Sequence, residues 1–121
     1  MLSPLELAKL SVTALDNKHG KDITVLKTEE LTVLANYFII CTATSATHIK
    51  TLSDELEKVL EEQGGETPRR KEGYRAGGWV LMDYGCVVVH LFLEDIRHFY
   101  NLERLWQDAE KLSIEKGVLD A

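Results

Sequence analysis

The sequence WVLMDYGCVVVHLFL, residues 79–93, decides the fold of this chain. Two apolar runs, residues 79–83 and 87–93, flank a short connection that contains Gly85, and glycine readily adopts the positive φ of a tight turn. We therefore predict an antiparallel hairpin. Apolar side chains occupy both alternating faces of the second run, where His90 is the polar exception, so neither face is suited to water. Helices are expected to cover both faces of the sheet.

The flanking sequence predicts further helices and strands. Apolar residues at helical spacing follow Ser3 and Pro4, which are typical of a helix start, and a second amphipathic pattern follows Ser45. The predicted elements are a helix from Pro4 to about Lys18, strands at Asp22 to Lys27 and Leu34 to Thr42, a long helix from Ser45 to Gly64 and Gly65, an exposed connection with a short edge strand between Glu66 and Gly78, a short helix capped by Asp95 and running to Tyr100, and an amphipathic turn from Leu102 to Trp106.

These elements predict one α/β domain over residues 1–121, with a mixed β-sheet, a core at about 4–106 and a polar C-terminal tail at 107–121. A chain of 121 residues with 45% hydrophobic content can form one packed core. It has no apolar run of the roughly 20 residues that span a bilayer. An acidic residue near the N-terminus argues against a secretory signal, and both cysteines lie in apolar runs. We expect a cytoplasmic protein with free thiols and no membrane partner.

The charge of the chain limits its partners. The formal net charge is -6 and the pI is about 5.2, so phosphate backbones are repelled and free nucleic acid is a poor partner. Acidic residues outnumber basic ones most clearly from Asp83 onward. A basic protein surface is therefore the expected kind of partner, and the expected docking face lies in the last third of the chain.

Three segments together resemble the ribosomal silencing factor family, also called the iojap family. The segments are YFIICTATS at 37–45 followed by His48, WVLMDYG at 79–85 running into VVVHLF at 87–92, and RHFYNLERLW at 97–106. The resemblance implies a nucleotidyltransferase-like fold, a homodimer, and binding to the large ribosomal subunit through ribosomal protein uL14. In this family, a protein bound to uL14 blocks the joining of the large and small ribosomal subunits and represses translation when nutrients are scarce. A large-subunit assembly factor is the alternative within the same partner class.

Enzymatic interpretations have less support in the sequence. Nucleotidyl transfer needs two or three strand carboxylates to hold divalent metal, whereas Asp83 is the lone carboxylate on its strand and the neighbouring strand is apolar. The histidines and cysteines lack the paired spacing of a metal site apart from Glu94 with His98. We predict no catalytic residue, no metal and no cofactor.

Three smaller patterns each allow two interpretations. Residues 42–45 lie between a strand and a helix, where backbone N–H groups can bind phosphate, but without a glycine-rich loop a helix cap formed by Thr44 or Ser45 is favoured. His48 and His90 are each a possible base or ligand, or a hydrogen-bonded structural residue. A solvated loop is favoured over a ribosomal RNA contact for the basic cluster, because acidic residues flank it. That cluster consists of Arg69, Arg70, Lys71 and Arg75, with Tyr74 among them.

The predicted partner-binding residues combine aromatic and aliphatic side chains with an acidic rim, which suits a basic protein. Trp79 leads this set because tryptophan is common in interface hot spots, although it is also common in cores. For Tyr100, Leu102 and Trp106, internal packing against the sheet is the competing interpretation. The full set is Trp79, Val80, Met82, Asp83, Tyr84, Glu94, Asp95, Tyr100, Leu102 and Trp106.

Overall fold

The computed structural model describes residues 2–28, 35–73, 78–105, 107–115 and 117–120. In chain order the elements are α1 (Pro4–Asn17), β1 (Lys21–Lys27), β2 (Tyr37–Ala43), α2 (Ala46–Gly64), β3 (Arg70–Glu72), β4 (Trp79–Asp83), β5 (Val87–Leu93), α3 (Glu94–Tyr100), α4 (Leu102–Leu105), β6 (Glu110–Glu115) and β7 (Val118–Asp120). The predicted hairpin is confirmed as β4 and β5, with Met82 opposite Val89. Gly85 has φ +87° in the turn between them.

The strands form one mixed sheet in the order β3-β4-β5-β2-β1-β6-β7. β2 and β5 are parallel neighbours at its centre, and the other adjacent pairs are antiparallel. The predicted strand from Leu34 begins at Tyr37, and Leu34 itself lies outside the described residues. The predicted short edge strand is confirmed as β3. The expectation of a mixed sheet within an α/β fold is therefore confirmed.

The two long helices, α1 and α2, cover one face of the sheet and enclose the main core. α1 starts with a capping box, in which Ser3 Oγ accepts from the Glu6 backbone N–H at 3.1 Å and Glu6 Oε1 accepts from the Ser3 N–H at 3.0 Å. α2 is capped by Ser45 and ends at Gly65 in the left-handed conformation. Fully buried residues from both helices and from β1, β2, β4 and β5 form this core.

The two short helices, α3 and α4, lie on the opposite face, which confirms helices on both faces. A smaller core of Leu26, Ile40 and Phe92 lies there, and the half-buried Ile96 and Leu102 of the short helices pack against it. No residue of α3 is fully buried. This second face is therefore covered more thinly than the first.

The C-terminal segment and one helix cap differ from the predictions. The described residues of the predicted polar tail, 107–115 and 117–120, are not a tail, because β6 and β7 extend the sheet and Leu119 is buried against the main core. Leu112 and Ile114 pack inward while alternating residues of β6 are exposed, a period of two that a half-buried strand requires. Asp95 does not cap α3 either, since the cap position is Leu93 and it has no side-chain hydrogen bond.

Candidate partner-binding surface

Rings from the sheet face beneath α3 and α4 and from α3 itself form a cluster that we call the aromatic surface. The strands contribute Phe38, Trp79, His90 and Phe92, and α3 contributes Phe99 and Tyr100. Alternation along β4 places Trp79, Leu81 and Asp83 on this face. The ring of Trp79 lies 5.0 Å from that of Phe92, its partner in register on β5, and 4.6 Å from that of Tyr100. Strand pairing therefore brings Trp79 to Phe92, 13 residues further along the sequence, and α3 brings it to Tyr100, 21 residues further along.

A groove of about 330 Å³ opens beside Trp79 and Tyr100. Gly78, which lines the groove, permits the close approach of α3, because a Cβ at that position would lie 2.8 Å from Ile96 Cγ1. The groove is lined by Glu72, Gly73, Gly78, Trp79, Leu81, Ile96 and Tyr100. It combines apolar walls with one carboxylate, which suits a partner that presents both apolar and basic groups.

Exposed aromatic side chains lie next to this groove. Phe99 is 80% exposed and Tyr100 is 49% exposed, and their rings meet edge to face at 5.2 Å. Among the described residues, the remaining exposed large hydrophobic side chain is Val118, on the strand at the other end of the sheet. Adjacent exposed rings beside an apolar groove are typical of a protein-binding surface.

His90 lies buried within the aromatic surface. Trp79 Nε1 donates a hydrogen bond of 3.1 Å to His90 Nδ1. Burial lowers the pKa of His90 to about 4, so its ring is neutral near pH 7. This arrangement agrees with the structural interpretation of His90 as a hydrogen-bonded residue.

Three predicted contact residues prove to be buried in the main core. Val80 is 2% exposed, Met82 is not exposed and Tyr84 is 4% exposed, and all three pack on the side of α1 and α2. The physical reason is strand alternation, which directs Val80 and Met82 away from the face that carries Trp79. A partner cannot reach these side chains in the folded protein, so their assignment to the binding surface is wrong.

Asp83 lies on the same face of the sheet as the aromatic surface, but its carboxylate interacts with other residues of the chain. Its Oδ1 accepts a hydrogen bond of 2.7 Å from the Gly85 N–H, which fixes the turn between β4 and β5. Its Oδ2 lies 3.6 Å from Arg70 Nη2, and its side chain is 25% exposed. Asp83 therefore has a local structural role and keeps only part of its surface for a partner.

The other predicted residues separate into different locations. Tyr100 lines the groove beside Trp79, whereas Leu102 is half-buried against the small core, as the packing interpretation expected. Glu94 and Asp95 are exposed but line a different depression at the ends of β2 and β5. Thr42 of β2 and His98 of α3 line the same depression. Trp106 lies outside the described residues. The structure thus brings together only part of the predicted set.

The basic cluster is largely neutralised by neighbouring carboxylates. Lys71 Nζ lies 2.7 Å from Glu57 Oε1, and Arg70 lies within 3.6 Å of both Glu72 and Asp83. Tyr74 and Arg75 lie outside the described residues. For Arg70 and Lys71, these ion pairs favour the solvated-loop interpretation.

The segment between β2 and α2 forms a helix cap, as favoured from the sequence. Ser45 Oγ accepts from the His48 N–H at 3.1 Å, and His48 Nδ1 accepts from the Thr44 N–H at 2.9 Å. His48 Nε2 lies 2.8 Å from the carbonyl oxygen of Lys18. Both ring nitrogens of His48 therefore have structural partners.

Sequence reasoning missed Phe99, Leu81 and Arg97. Ile96, Phe99 and Tyr100 have the i, i+3, i+4 spacing of an apolar helix face, so the sequence carried no signal that the ring of Phe99 would be exposed. Arg97 Nη1 donates to the carbonyl oxygen of Asp22 at 2.7 Å and to Thr42 Oγ1 at 2.8 Å. The half-buried Arg97 thereby fixes the helix that carries Phe99 and Tyr100.

Two further features, a metal-ligand cluster and a membrane-spanning helix, are absent from the described part of the chain. Within the described ranges, histidine, cysteine and acidic side chains form no group of three or more that could hold a metal ion. None of the helices in that part of the chain has the length and apolar content to cross a membrane.

Comparison with known proteins gives consistent matches along the chain. A profile of the family described as "Ribosomal silencing factor during starvation" matches residues 2–121. The chain is 42% identical over 118 residues to the ribosomal silencing factor RsfS of Halalkalibacterium halodurans, covering 98% of this chain and 99% of that protein.

Two further matches concern a solved structure and a eukaryotic relative. A crystal structure of a protein from Chromobacterium violaceum has a TM-score of 0.84 and 37% identity, covering 97% of this chain and 96% of that one. A Mus musculus protein named mitochondrial assembly of ribosomal large subunit protein 1 is 32% identical over 97 residues, covering 78% of this chain and 42% of that protein.

Proposed function

We propose that this chain, which belongs to the ribosomal silencing factor family, binds ribosomal protein uL14 on the large ribosomal subunit and sterically blocks association with the small subunit. Translation is thereby repressed when nutrients are scarce. The observation that carries the proposal is the pair of exposed rings, Phe99 and Tyr100, beside the groove at Trp79. Their exposure leaves apolar area in water until a partner covers it.

The mechanism needs no chemical step. A bound protein occupies volume that the small subunit requires, so inhibition depends on how long the large subunit stays occupied. The net charge of -6 favours approach to a basic ribosomal protein and disfavours naked RNA. We expect affinity to decrease at higher salt, because exposed charges are screened within about 8 Å at physiological ionic strength.

We assign the contact to residues that are exposed or that line the groove. Trp79, Leu81, Phe99 and Tyr100 supply the apolar contact, and Glu72 supplies a carboxylate at the groove. Asp83 lies on the same face, while Glu94 and Asp95 contribute only to long-range attraction from their separate depression. Val80, Met82 and Tyr84 act indirectly, by supporting the strands from the core.

The direct test uses Phe99→Ala and Tyr100→Ala. Both side chains are exposed, so folding is expected to be retained. Loss of a hot-spot aromatic costs 2 kcal/mol or more, which is roughly a thirty-fold loss of affinity. Val118→Ala removes an exposed apolar side chain at the other end of the sheet and is the matched control.

Two assays give the result. Binding to purified uL14 measures affinity, and sedimentation of mature large and small subunits measures the joined fraction. We expect the unmodified protein and Val118→Ala to lower the joined fraction, and the two aromatic variants to lose this effect. Full affinity in both aromatic variants would refute the assigned surface. Absence of any binding to large subunits at moderate salt would refute the function.

A role in large-subunit assembly is the second candidate, favoured by the name of the Mus musculus relative. In that case the same surface engages the large subunit during maturation. Depletion of the protein in cells distinguishes the two: an assembly factor leaves immature large-subunit particles, whereas a silencing factor leaves mature subunits that join more readily during starvation.

The oligomeric state is a separate part of the proposal. By analogy with the family, we propose a homodimer in solution. Light scattering after size-exclusion chromatography tests this directly against the monomer mass of 13.7 kDa. A monomer at micromolar concentration would contradict it.

A further inference from the structure

The hydrogen bond between Trp79 and His90 joins two side chains that face the same side of neighbouring strands. Trp79 Nε1 is the donor and His90 Nδ1 the acceptor, at 3.1 Å. An indole N–H can only donate, so Nδ1 must carry the lone pair and the proton of the neutral ring must sit on Nε2. This contact therefore selects one tautomer of His90.

The surroundings of His90 prevent it from turning away. Its ring centroid lies 5.5 Å from that of Phe38, 5.9 Å from that of Trp79 and 6.0 Å from that of Phe92. The residue is 5% exposed, and burial among these rings lowers its pKa to about 4. The acceptor at Nδ1 is consequently present throughout the physiological pH range.

The second ring nitrogen of His90, Nε2, makes this histidine less favourable for stability than an apolar residue would be. Among the described residues, His90 Nε2 is buried and has no hydrogen-bond partner. A buried donor without a partner carries a desolvation cost, whereas an apolar residue of similar shape does not. A phenylalanine at this position would fill the same space among Phe38 and Phe92.

We propose that His90 is a positioning residue, which orients the indole of Trp79 within the aromatic surface so that its exposed edge meets the partner in one rotamer. This inference rests on the proposed function of that surface. Preorganisation lowers the entropy cost of binding, since a side chain already held in its bound rotamer loses less freedom. His90 itself does not contact the partner.

Two substitutions separate positioning from packing. His90→Phe keeps a ring and removes the acceptor, whereas His90→Asn is smaller but keeps an acceptor near the place of Nδ1. Binding is measured with purified bacterial large ribosomal subunits, and folding by the midpoint of urea unfolding. We expect His90→Phe to bind about ten-fold more weakly, the equivalent of one lost hydrogen bond. Its midpoint should stay close to that of the unmodified protein, because removal of the unpaired Nε2–H offsets the loss of the acceptor for Trp79 Nε1–H. His90→Asn is expected to bind within about three-fold of the unmodified protein, despite a lower midpoint.

Nuclear magnetic resonance gives a readout that does not depend on the ribosome. In the unmodified protein at pH 7, the ¹⁵N shifts of His90 should identify the tautomer protonated at Nε2. The Trp79 indole N–H, assigned with Trp79→Phe, should exchange slowly with solvent and should exchange faster in His90→Phe.

The outcomes distinguish a role of His90 in positioning the Trp79 indole from a role in packing alone. The opposite tautomer, or an indole signal unchanged by His90→Phe, overturns the proposal even if that variant fails to fold in quantity, because the tautomer is read in the unmodified protein. Unchanged affinity of a folded His90→Phe also overturns it, and so does an affinity loss that only parallels a lower midpoint. If Phe99→Ala and Tyr100→Ala bind normally while the indole responds as expected, the assigned surface fails but the orientation of Trp79 by His90 stands.

Discussion

Arg97 Nη1 donates a hydrogen bond of 2.8 Å to the hydroxyl of Thr42, and so joins α3 to the end of β2. The same guanidinium also donates to the carbonyl oxygen of Asp22, to Thr24 Oγ1 and to Glu103 Oε1, at 2.7 to 3.0 Å. Because no residue of α3 is fully buried, these polar contacts add to the limited apolar packing of Ile96 in anchoring this helix. Arg97 is therefore one of the side chains that fix the position of Phe99 and Tyr100.

Arg97→Ala is therefore expected to loosen α3 and to lower the free energy of unfolding by about 2 to 3 kcal/mol, since hydrogen bonds from a largely buried charged group are among the stronger ones. Urea unfolding measures the loss, and amide hydrogen exchange should increase from Glu94 to Leu105. Arg104→Ala, on the exposed side of α4, is the control and should change stability by no more than about 0.5 kcal/mol. Equal stability of the two variants would contradict the anchoring role.

The buried imidazole of His90 predicts a dependence of stability on pH. Its pKa is about 4 in the folded protein and 6.5 for the ordinary group, so between these values the unfolded chain binds a proton that the folded chain does not. Protonation of the unfolded chain at His90 therefore does not reduce the free energy of unfolding above pH 6.5, and it reduces that free energy progressively as the pH falls toward 4. Each pKa unit between the folded and unfolded states corresponds to about 1.4 kcal/mol, so the free energy of unfolding should fall by about 3 kcal/mol between pH 6.5 and pH 4.

Comparison with His90→Phe isolates this contribution, because the carboxyl groups titrate in both proteins. Urea unfolding at pH 7 and pH 4.5 should show a larger decrease for the unmodified protein, by about 2 to 3 kcal/mol. The same decrease in both proteins would mean that His90 is not the titrating group.

Gly73 and Gly65 provide a matched pair for the geometry beside the groove. Both have positive φ, +92° and +65°. A Cβ at Gly65 would meet no atom within 4 Å, whereas one at Gly73 would collide with the carbonyl oxygen of Trp79. We expect Gly65→Ala to cost about 1 kcal/mol, from backbone conformation alone, and Gly73→Ala to cost at least about twice as much.

Gly73→Ala should also weaken binding to large subunits, because a shift of β3 would displace Glu72 and the backbone of Trp79. Unfolding midpoints and binding assays on the same preparations test both effects. Similar midpoints for the two alanine variants would show that the collision is relieved at little cost.

Asp83 predicts a difference between two conservative substitutions. Its Oδ1 accepts from the Gly85 N–H in a part-buried position, and asparagine keeps such an oxygen. Asp83→Asn should therefore remain within about 0.5 kcal/mol of the unmodified protein, while Asp83→Ala should lose about 1 kcal/mol. Urea unfolding of both variants distinguishes this turn-forming role from a purely electrostatic one, in which both substitutions would have equal effects.

Some features followed from local sequence because local physics determines them. The hairpin at 79–93 was predicted with its observed strand bounds, since a glycine turn between two apolar runs allows few conformations. The cap at Ser3 was predicted correctly, and the second cap, predicted as Thr44 or Ser45, is Ser45, because a side-chain oxygen satisfies backbone N–H groups only a few residues away. Apolar residues on both alternating faces of β5 were enough to predict helices on both sides of the sheet.

The choice between the two faces of β4 required the tertiary structure. Alternation separates Trp79 from Val80 and Met82, but it does not say which set the long helices cover. That depends on where α1 and α2 pack, through contacts between residues far apart in the chain. The strands at 110–115 and 118–120 were not predicted either, because the short alternation of Leu112 and Ile114 stands among charged residues and only pairing with β1 makes it a strand.

By itself, then, the sequence of 121 residues determined the α/β class, the hairpin, the helix caps and the family to which the chain belongs, because these depend on local spacing and on motifs that can be read in order. Only the folded chain decided that Phe99 and Tyr100 are exposed beside Trp79, that His90 holds the indole and that Arg97 holds α3. Those arrangements are made by side chains from separate elements, and no local pattern specifies which of them will meet.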